Sequence, residues 1–437
     1  MCISLVNKST VSFYIETLGC PRNDSDSEAI INFLKCANLK QVNSPEEASH
    51  IIINGCAFIE KAVSESIDRI LILSKRNPKS TLLVVGCLAE RYKKDLKKSL
   101  PEVDLLVGTG SIDKIEVAIR ENKSILSVNK GFIGKNIYKE HHTTPHHYRY
   151  IKVQEGCNYE CSFCIIPKLK GELHSKPLGD IEEEIRNLPK EVREIILVGQ
   201  DTSSWGQDIY GKPSLDYLLN EISPLFPHWI RILYLHPLTI SESLLRTIAS
   251  QSNLLNYLDI PLQHISSRVL NSMKREYDKK FIEKLLSKIQ NIDNFTLRTS
   301  FIVGFPEETE EDFNELYDFV RDSKFDRVGL FTYSHEEGTD AYSLKELNKE
   351  ITRRRFKRLF TLIQQKMTKS NKEIVGKKIK VLIDGMEGDE YHGRTMSDAP
   401  DIDQIIWIRG NRNTKVGDLC TVKITDSLES ELMGELL

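Results

Sequence analysis

Three cysteines lie within eight residues near the middle of the chain, at Cys157, Cys161 and Cys164, in the pattern C-x3-C-x2-C. A loop this short cannot pair all three as disulfides, and core packing does not require three neighbouring thiols. Thiolates grouped in this way hold iron–sulfur clusters. A zinc site would need a fourth ligand and usually shows paired C-x2-C arms. The spacing therefore favours a four-iron cluster with one iron left open for a cofactor or substrate.

The cysteine loop follows the first strand of a regular β/α alternation that begins near residue 147. Apolar runs of strand length alternate with amphipathic helical patterns, as is typical of parallel sheets. Six parallel strands predict a partial (β/α)6 barrel over residues 147–342, with its active site at the carboxyl ends of the strands. The predicted strands are YIKVQEG, EIILVGQD, IRILYLH, YLDIPLQ, TLRTSFIVGF and RVGLFTYS.

Residues 1–125 show an earlier β/α alternation, which predicts an α/β domain built on a doubly wound parallel sheet. Three of its strands end in Gly-Cys, at Cys20, Cys56 and Cys87. Because the carboxyl ends of parallel strands share one edge of a sheet, we expect these cysteines to converge on a second metal site. Three unrelated buried thiols are the alternative, which the repetition disfavours. The remaining cysteines, which have no such context, are Cys2, Cys36 and Cys420.

The rest of the chain divides into a polar linker at 126–146, a connecting helix at 343–372 and a small all-β barrel at 373–437. The barrel is predicted from short strands separated by glycine and aspartate turns. Four histidines lie in and beside the linker and could suggest a metal site. Because no thiol or carboxylate spacing accompanies them, a solvated segment is the favoured interpretation. The four histidines are His141, His142, His146 and His147.

The composition limits the cellular setting and the partners. Nine cysteines, an odd number, argue against a disulfide framework. No run approaches the roughly 18 apolar residues of a membrane span, and the first residues lack the features of a secretory signal. We therefore expect a cytoplasmic protein without a membrane partner. The formal net charge of −3 gives no electrostatic footprint for nucleic acid, so direct RNA binding is not favoured.

The segment GCNYECSFCIIP resembles the signature of radical S-adenosylmethionine enzymes, including Phe163 just before the third cysteine. In that family the open iron chelates the methionyl amine and carboxylate of S-adenosylmethionine, and reductive cleavage yields a 5′-deoxyadenosyl radical. Such a cofactor supplies hydrogen abstraction from unactivated carbon, which acid–base side chains cannot perform. The resemblance implies further cofactor contacts at two strand ends, at Gly199, Gln200 and Asp201 for the amino group and at Val303 and Gly304 along the adenine.

Over nearly the whole chain, three strand-end cysteines, a radical barrel and a TRAM-like β-barrel resemble the methylthiotransferases, which replace C–H with C–SCH3. The resemblance implies that S-adenosylmethionine is both radical source and methyl donor. It also implies a second 4Fe-4S cluster on Cys20, Cys56 and Cys87, where sulfur is held and methylated. A reductant such as flavodoxin or ferredoxin and a sulfur donor are then required. Lys170 and Lys176 depart from the family's usual arginines, and lysine keeps the charge but loses the bidentate fork.

Two branches of the methylthiotransferases compete for the substrate. The transfer-RNA branch (MiaB-like) modifies an isopentenylated adenosine and usually reads GCQMN at its first cysteine. This chain reads LGCPRN there, followed by Asp26-Ser27-Glu28, and its tail contains GRTMSDAPDID. Both segments resemble the branch that modifies an aspartate of small-subunit ribosomal protein S12 (RimO-like). A cluster-carrying electron-transfer or scaffold protein is the alternative from another class, and it would have no use for an open iron.

The charge of the tail supports the protein substrate. Seven acidic residues lie between Asp384 and Asp403, against the single base Arg394. We expect an acidic surface, including Asp398 and Asp401, that docks a basic ribosomal protein and repels RNA. An acidic face that merely keeps the protein soluble is the alternative.

Overall fold

The computed structural model describes residues 11–126, 145–410, 413–429 and 431–437. The described residues form two compact units. Among the described residues, the first unit comprises 11–126 with Glu155–Asn158 and Ile165–His174, and the second comprises 145–154, Tyr159–Cys164 and the described part of Ser175–Leu437. Nearly all of the predicted linker, with His141 and His142, lies outside the described residues, as does Cys2.

The first unit contains one parallel sheet, which in its described residues has five strands in the order β2-β1-β3-β4-β5. Its strands are β1 (Ser12–Thr17), β2 (Lys40–Gln41), β3 (His50–Asn54), β4 (Thr81–Val85) and β5 (Leu105–Val107). Its helices are α1 (Pro21–Cys36), α2 (Glu60–Arg76), α3 (Cys87–Ser99), α4 (Ile115–Glu121) and α5 (Ile166–Lys170), with 3-10 turns at Pro45–Glu47 and Thr109–Lys114. The predicted doubly wound sheet is confirmed.

Both faces of this sheet are buried, which explains why its strands are apolar throughout rather than alternating. On one face Ile51 and Ile53 pack with side chains of α2 and α3. On the other face Ile52 packs with side chains of α1 and α4. The strands are in close register, with Asn54 opposite Thr17 on one side and Val85 on the other. The strand ends are therefore level with one another, and this places the residues that follow them.

The second unit begins with a partial barrel, as predicted. Its strands are β6 (Tyr148–Lys152), β9 (Glu194–Val198), β10 (Trp229–Ile232), β11 (Tyr257–Asp259), β12 (Thr296–Val303) and β13 (Arg327–Thr332). In the described part of the chain they form two parallel three-stranded sheets, β10-β9-β6 and β11-β12-β13. The sheets meet at β10 and β11, where Leu255 N–H donates to the Ile230 carbonyl at 2.9 Å. The short strands β7 (Gln154–Glu155) and β8 (His174–Ser175) lie where the chain passes from one compact unit to the other.

Helices cover the outside of the barrel because their apolar faces complete its core. They are α6 (Leu178–Arg186), α7 (Gln207–Tyr210), α8 (Leu215–Ile222), α9 (Glu242–Ser250), α10 (Ser267–Ser272), α11 (Lys279–Gln290) and α12 (Glu310–Asp322). Short 3-10 turns lie at Thr202–Ser204, Ser223–Leu225, Pro237–Thr239 and Asp340–Ser343. No helix in the described residues is both long and apolar enough to cross a membrane.

The long helix α13 (Lys349–Ile374) follows the barrel and packs against β13 and α12. It leads into the strands β14 (Lys378–Glu387), β15 (Glu390–Arg394), β16 (Ile406–Arg409), β17 (Leu419–Leu428) and β18 (Glu431–Leu436). These close into a small barrel in the order β14-β15-β16-β18-β17. The predicted C-terminal all-β barrel is confirmed.

Two acidic residues of the tail, Asp398 and Asp403, are not part of the expected docking surface, whereas Asp401 is exposed. Asp398 is fully buried and accepts hydrogen bonds from Arg327 Nε and Nη2 at 2.9 and 2.6 Å. Asp403 accepts from the Tyr257 hydroxyl at 2.6 Å and from Arg298 Nε at 3.3 Å. These carboxylates pair with strands of the partial barrel, so the expectation that they bind a ribosomal protein is wrong.

A second buried ionic group contradicts the solvated reading of His147. This histidine is buried, and its Nε2 lies 2.7 Å from Asp384 Oδ1. Asp384 also lies 3.0 Å from Arg394 Nε, and Arg394 pairs with buried Glu194. Arg394, the one base between Asp384 and Asp403, therefore belongs to an internal ion pair. Charge counted along the sequence no longer distinguishes a protein substrate from RNA.

We expect Asp398→Lys to destabilise the fold rather than to weaken substrate docking. Removing one partner of a buried ion pair costs about 3–5 kcal/mol, because the other charge stays buried and unpaired. The measurement is the free energy of unfolding in denaturant, with Glu387→Lys on the exposed end of β14 as the matched control. Equal stability of the two variants would contradict the assignment of Asp398 to an internal pair.

Candidate active site

The cysteine loop begins with a backbone that only glycine allows. Gly156 has a φ of +80°, and a Cβ placed there would lie 1.9 Å from the Glu172 carbonyl oxygen. The next residue, Cys157, donates its N–H to the Gly171 carbonyl at 3.1 Å. Cys164 closes a turn by donating its N–H to the Cys161 carbonyl at 2.9 Å. All three cysteines are partly exposed, and none forms a disulfide, as the ligands of a cluster require.

Aromatic and basic side chains hold this loop at the carboxyl ends of β10 and β11. The ring of Tyr159 stacks on His236, with centroids 3.8 Å apart. Burial, and next the charge of Arg275, lower the pKa of His236 to about 2. Neutral His236 can therefore accept a hydrogen bond at Nε2 from Arg275 Nη1, which lies 2.6 Å away. The Arg275 guanidinium also lies over the rings of Tyr277 and Phe163, 5.5 and 6.0 Å from their centroids.

Ser162 and Phe163 fix the end of the loop. Ser162 donates its N–H to the Met273 carbonyl at 3.0 Å, and its own carbonyl accepts from Ala341 N–H at 2.7 Å. Phe163, a predicted cofactor residue, packs against the buried cluster that contains Met273, Phe305 and Ala341. The structure therefore gives Phe163 a role in seating the loop, beside the cofactor role that the sequence predicts.

The predicted segment Gly199–Asp201 lies at the end of β9 and is shaped by Gln154. The Gln154 side-chain oxygen accepts from the N–H groups of Gln200 at 2.9 Å and Asp201 at 3.1 Å. A Cβ at Gly199 would lie 2.4 Å from that same oxygen. Asp201 is buried and accepts from the hydroxyls of Ser203 and Ser204. The Asp201 carboxylate thus stabilises the local turn. The predicted cofactor role of Gly199–Asp201 is left to the other groups of this segment.

Val303 and Gly304 lie at the end of β12, as predicted. The Val303 side chain is fully buried in the core, so any contact with a cofactor must come from its backbone. Gly304 has a φ of +78°, and a Cβ there would lie 2.4 Å from the Thr352 side chain. The loop after β12 is therefore pressed against α13.

The N-terminal cysteines follow three adjacent strands, as the sequence predicts. Cys20 follows β1 and caps α1, and Cys56 follows β3. Cys87 follows β4 and begins α3. Helix N-termini favour anionic groups, and Cys20 and Cys87 both lie at one. A Cβ at Gly19 would lie 2.6 Å from the Cys56 Cβ, which explains why glycine precedes the first cysteine.

The charges around this triad fit a metal cluster. Burial raises the pKa of the Cys87 thiol to about 12, while the charge of Lys170 opposes the shift. Burial, and next the charge of Cys20, raise the pKa of Cys56. At Cys20, burial is outweighed by Arg22, whose Nε lies 3.4 Å from the Sγ, so the pKa is lowered. Converging thiols of this kind become thiolates when a metal supplies positive charge.

Lys170 brings a cation to the same region of the first unit. It is buried on α5, and its Nζ lies 2.9 Å from Glu155 Oε1 and 3.3 Å from Asp26 Oδ2. Burial opposes the charge of Lys170, but Asp26 and Glu155 raise its pKa well above the usual value. The ammonium is therefore fixed beside the triad.

No three His, Cys, Asp or Glu side chains among the described residues are grouped to bind one metal ion. A four-iron cluster places its thiolates on different irons, so its ligands stand farther apart than those of a single ion.

A cavity of about 620 Å³ lies in the second unit, at the amino ends of the barrel strands. Its walls include Tyr148, Arg298, Arg327 and Asp403. The last three form the ion pairs described above, and the Tyr148 ring lies beside Arg394. Active sites of such barrels form at the opposite, carboxyl ends of the strands. The cavity is therefore not the candidate active site.

Family models match the chain in three places. They are described as Uncharacterized protein family UPF0004 at residues 12–108, Radical SAM superfamily at 151–320 and TRAM domain at 375–437. The first match contains Cys20, Cys56 and Cys87, and the second contains the barrel cysteines.

Curated relatives match almost end to end. A Thermoanaerobacter sp. (strain X514) protein named ribosomal protein uS12 methylthiotransferase RimO is 40% identical over 430 residues, covering 96% of this chain and 99% of its own. A protein of the same name from Clostridioides difficile (strain 630) is 40% identical over 439 residues, covering 97% and 98%. The chain belongs to the RimO family of methylthiotransferases. Another member of the RimO family, from Aquifex aeolicus (strain VF5), is 40% identical and covers 96% of each chain.

Solved structures support the fold of this RimO-family chain. The radical S-adenosylmethionine methyltransferase TsrM from Kitasatospora setae aligns with a TM-score of 0.56 at 13% identity, covering 74% of this chain and 75% of its own. The cobalamin-dependent radical enzyme OxsB aligns with a TM-score of 0.52 at 11% identity, covering 82% and 56%. At these identities the likeness shows the fold alone.

Sequence reasoning missed several residues of this RimO-family site. His236 and Arg275 seat the cysteine loop, and Glu308 and Arg355 fix the loop after β12. His236 offered one usable signal, a polar side chain directly after a predicted apolar strand. Arg355 offered none, because it is one of several basic residues in α13.

Proposed function

We propose that this chain transfers a methylthio group to an aspartate β-carbon of ribosomal protein S12, with S-adenosylmethionine as radical source and methyl donor. The observation that carries the proposal is the pair of cysteine triads, one at the ends of three parallel strands and one in the loop after the first barrel strand, in a chain whose relatives are named uS12 methylthiotransferases. Membership of the radical S-adenosylmethionine superfamily implies an iron–sulfur cluster and S-adenosylmethionine.

In this proposal Cys157, Cys161 and Cys164 hold one 4Fe-4S cluster, and Cys20, Cys56 and Cys87 hold a second. When bound, the clusters and S-adenosylmethionine supply the radical that removes hydrogen from carbon and the sulfur that replaces it. Partly exposed thiols in the barrel loop and thiols at helix N-termini in the first unit support these assignments.

The chain's own groups position the reactants. Tyr159 and Phe163, held by His236 and Arg275, keep the cysteine loop at the carboxyl ends of the strands. Gln154 orients the N–H groups of the segment Gly199–Asp201, where the proposed cofactor amino group lies. Exact placement matters because radical transfer, like other enzymatic steps, depends on the orientation of the reacting groups.

The proposal also names partners and a division of the chain. Reduction requires an electron donor such as flavodoxin or ferredoxin, and turnover requires a sulfur donor. A ribosomal substrate places the reaction in the cytoplasm. We assign residues 1–125 to the second cluster, 126–146 to a linker, 147–342 to the radical barrel, 343–372 to a connecting helix and 373–437 to the TRAM-like barrel.

The deciding experiment offers the reduced enzyme two substrates separately, ribosomal protein S12 and isopentenylated transfer RNA. We expect mass spectrometry to find a methylthio group on the protein and none on the RNA. The control is S12 with its target aspartate replaced by asparagine, which should stay unmodified. Modification of the RNA alone would overturn the proposed substrate in favour of the transfer-RNA branch.

A further inference from the structure

Helix α13 contacts the loop that follows β12 through a buried ion pair. The Arg355 side chain is 4% exposed and donates from Nη1 to the Glu308 side chain at 2.7 Å and to its carbonyl at 2.9 Å. The other Glu308 carboxylate oxygen accepts the Gly304 N–H at 2.8 Å. Glu308 therefore spans the loop and connects the end of β12 to α13.

A second contact lies one helical turn earlier on α13. Thr352 and Arg355 are three residues apart, so both side chains face the same side of the helix. The Thr352 side chain fills the space that a Cβ at Gly304 would need. Because Gly304 also has a φ of +78°, only glycine allows this close approach.

The far side of the loop is held by another arginine. Arg268 Nη2 donates to the Glu307 carbonyl at 2.7 Å and pairs with Asp312. Glu307 itself has a φ of +65°, a conformation that costs free energy in a residue other than glycine. The loop is thus kept in a strained form by contacts from both sides.

A buried ion pair by itself is weak support for a gain in stability, because desolvation offsets the attraction. Burial raises the pKa of Glu308 to about 7, and Arg355 opposes that rise. The location argues for a role beyond stability. The pair fixes a loop at the carboxyl end of a barrel strand, the edge where ligands bind in such barrels.

We infer that Arg355 and Glu308 are positioning residues, through which α13 holds the loop Gly304–Thr309 in the shape that receives the nucleoside of S-adenosylmethionine. The inference rests on the proposed function, in which Val303 and Gly304 lie along the adenine. It makes the helix after the barrel part of the cofactor site, although neither side chain needs to touch the cofactor.

The test measures binding of S-adenosylmethionine to cluster-loaded, unreduced enzyme by equilibrium dialysis, with iron content and circular dichroism measured in parallel. We expect Arg355→Met to raise the dissociation constant at least tenfold with unchanged iron content. Arg355→Lys keeps the charge but loses the fork, so it should recover part of the affinity. Glu308→Gln should weaken binding to an intermediate extent, because the amide oxygen can still accept one hydrogen bond.

The matched control is Arg358→Met, on the same helix. Arg358 is exposed and contacts Glu310 at 2.9 Å rather than Glu308, so its loss should change the dissociation constant less than twofold. If Arg355→Met fails to fold, Arg355→Lys and Glu308→Gln decide the matter. Unchanged affinity in both of these variants would overturn the inference and leave the pair a purely structural one.

Failure of the proposed function has a different signature. A wild-type enzyme that binds S-adenosylmethionine but does not modify ribosomal protein S12 would overturn the substrate and leave the positioning role in place. A wild-type enzyme that binds no S-adenosylmethionine would overturn both.

Discussion

Replacing Cys157 with alanine is expected to remove about half of the iron from anaerobically reconstituted protein and all cleavage of S-adenosylmethionine. The wild-type protein should hold about eight irons, four on each triad. Without Cys157 the barrel triad has two ligands, while the N-terminal triad stays intact on its own sheet edge. Iron analysis and chromatographic detection of 5′-deoxyadenosine after reduction provide the two measurements.

Cys36→Ala is the control for this experiment, because Cys36 is an exposed free cysteine at the end of α1. It should leave iron content and cleavage unchanged. Full iron content after simultaneous replacement of Cys20, Cys56 and Cys87 would contradict the second cluster. Cleavage that persists in the Cys157 variant would contradict the assignment of the barrel triad.

Replacing Cys87 with serine is expected to abolish methylthiolation while 5′-deoxyadenosine formation stays measurable. The reason is a division of labour in which the barrel triad alone supports the radical and the N-terminal triad holds the sulfur. Serine is used because it matches cysteine in size, and Cys87 is buried beside the core of the first unit. The measurements are the two products from one reaction, with circular dichroism to verify the fold.

The same outcome is expected for Cys56→Ser, since Cys56 follows the neighbouring strand β3. If both variants lose methylthiolation, the loss cannot be explained by a local disturbance of α3, where only Cys87 lies. Normal amounts of methylthiolated protein from either variant would refute the assignment. Loss of both products together would show instead that the two triads are not independent.

The architecture followed from the sequence because it is encoded in local patterns. Apolar runs of strand length, separated by amphipathic helices, indicate parallel sheets with both faces covered. The sheet of the first unit and the partial barrel were predicted in this way, and the C-terminal barrel from short strands separated by glycine and aspartate turns. The convergence of Cys20, Cys56 and Cys87 needed one further rule, that parallel strands end on the same edge.

Only the tertiary structure decided which charged residues are internal. Asp398, Asp403 and His147 look like solvated polar residues in sequence, yet each is paired with a group on a distant element. A carboxylate has the same appearance in a sequence whether it faces water or an arginine about 70 residues away, as Asp398 faces Arg327. The expectation that Asp398 and Asp403 belong to an acidic docking surface was wrong for this reason.

The sequence by itself determined the two cysteine triads and the sheets that carry them, since strand length, helix period and Gly-Cys spacing are local properties. Tertiary structure decided what surrounds those sites. Lys170 reaches Asp26 across 144 residues, and Arg355 reaches Glu308 across 47. Local periodicity cannot specify such pairs, because they form only after separate elements have packed and buried charges must find partners.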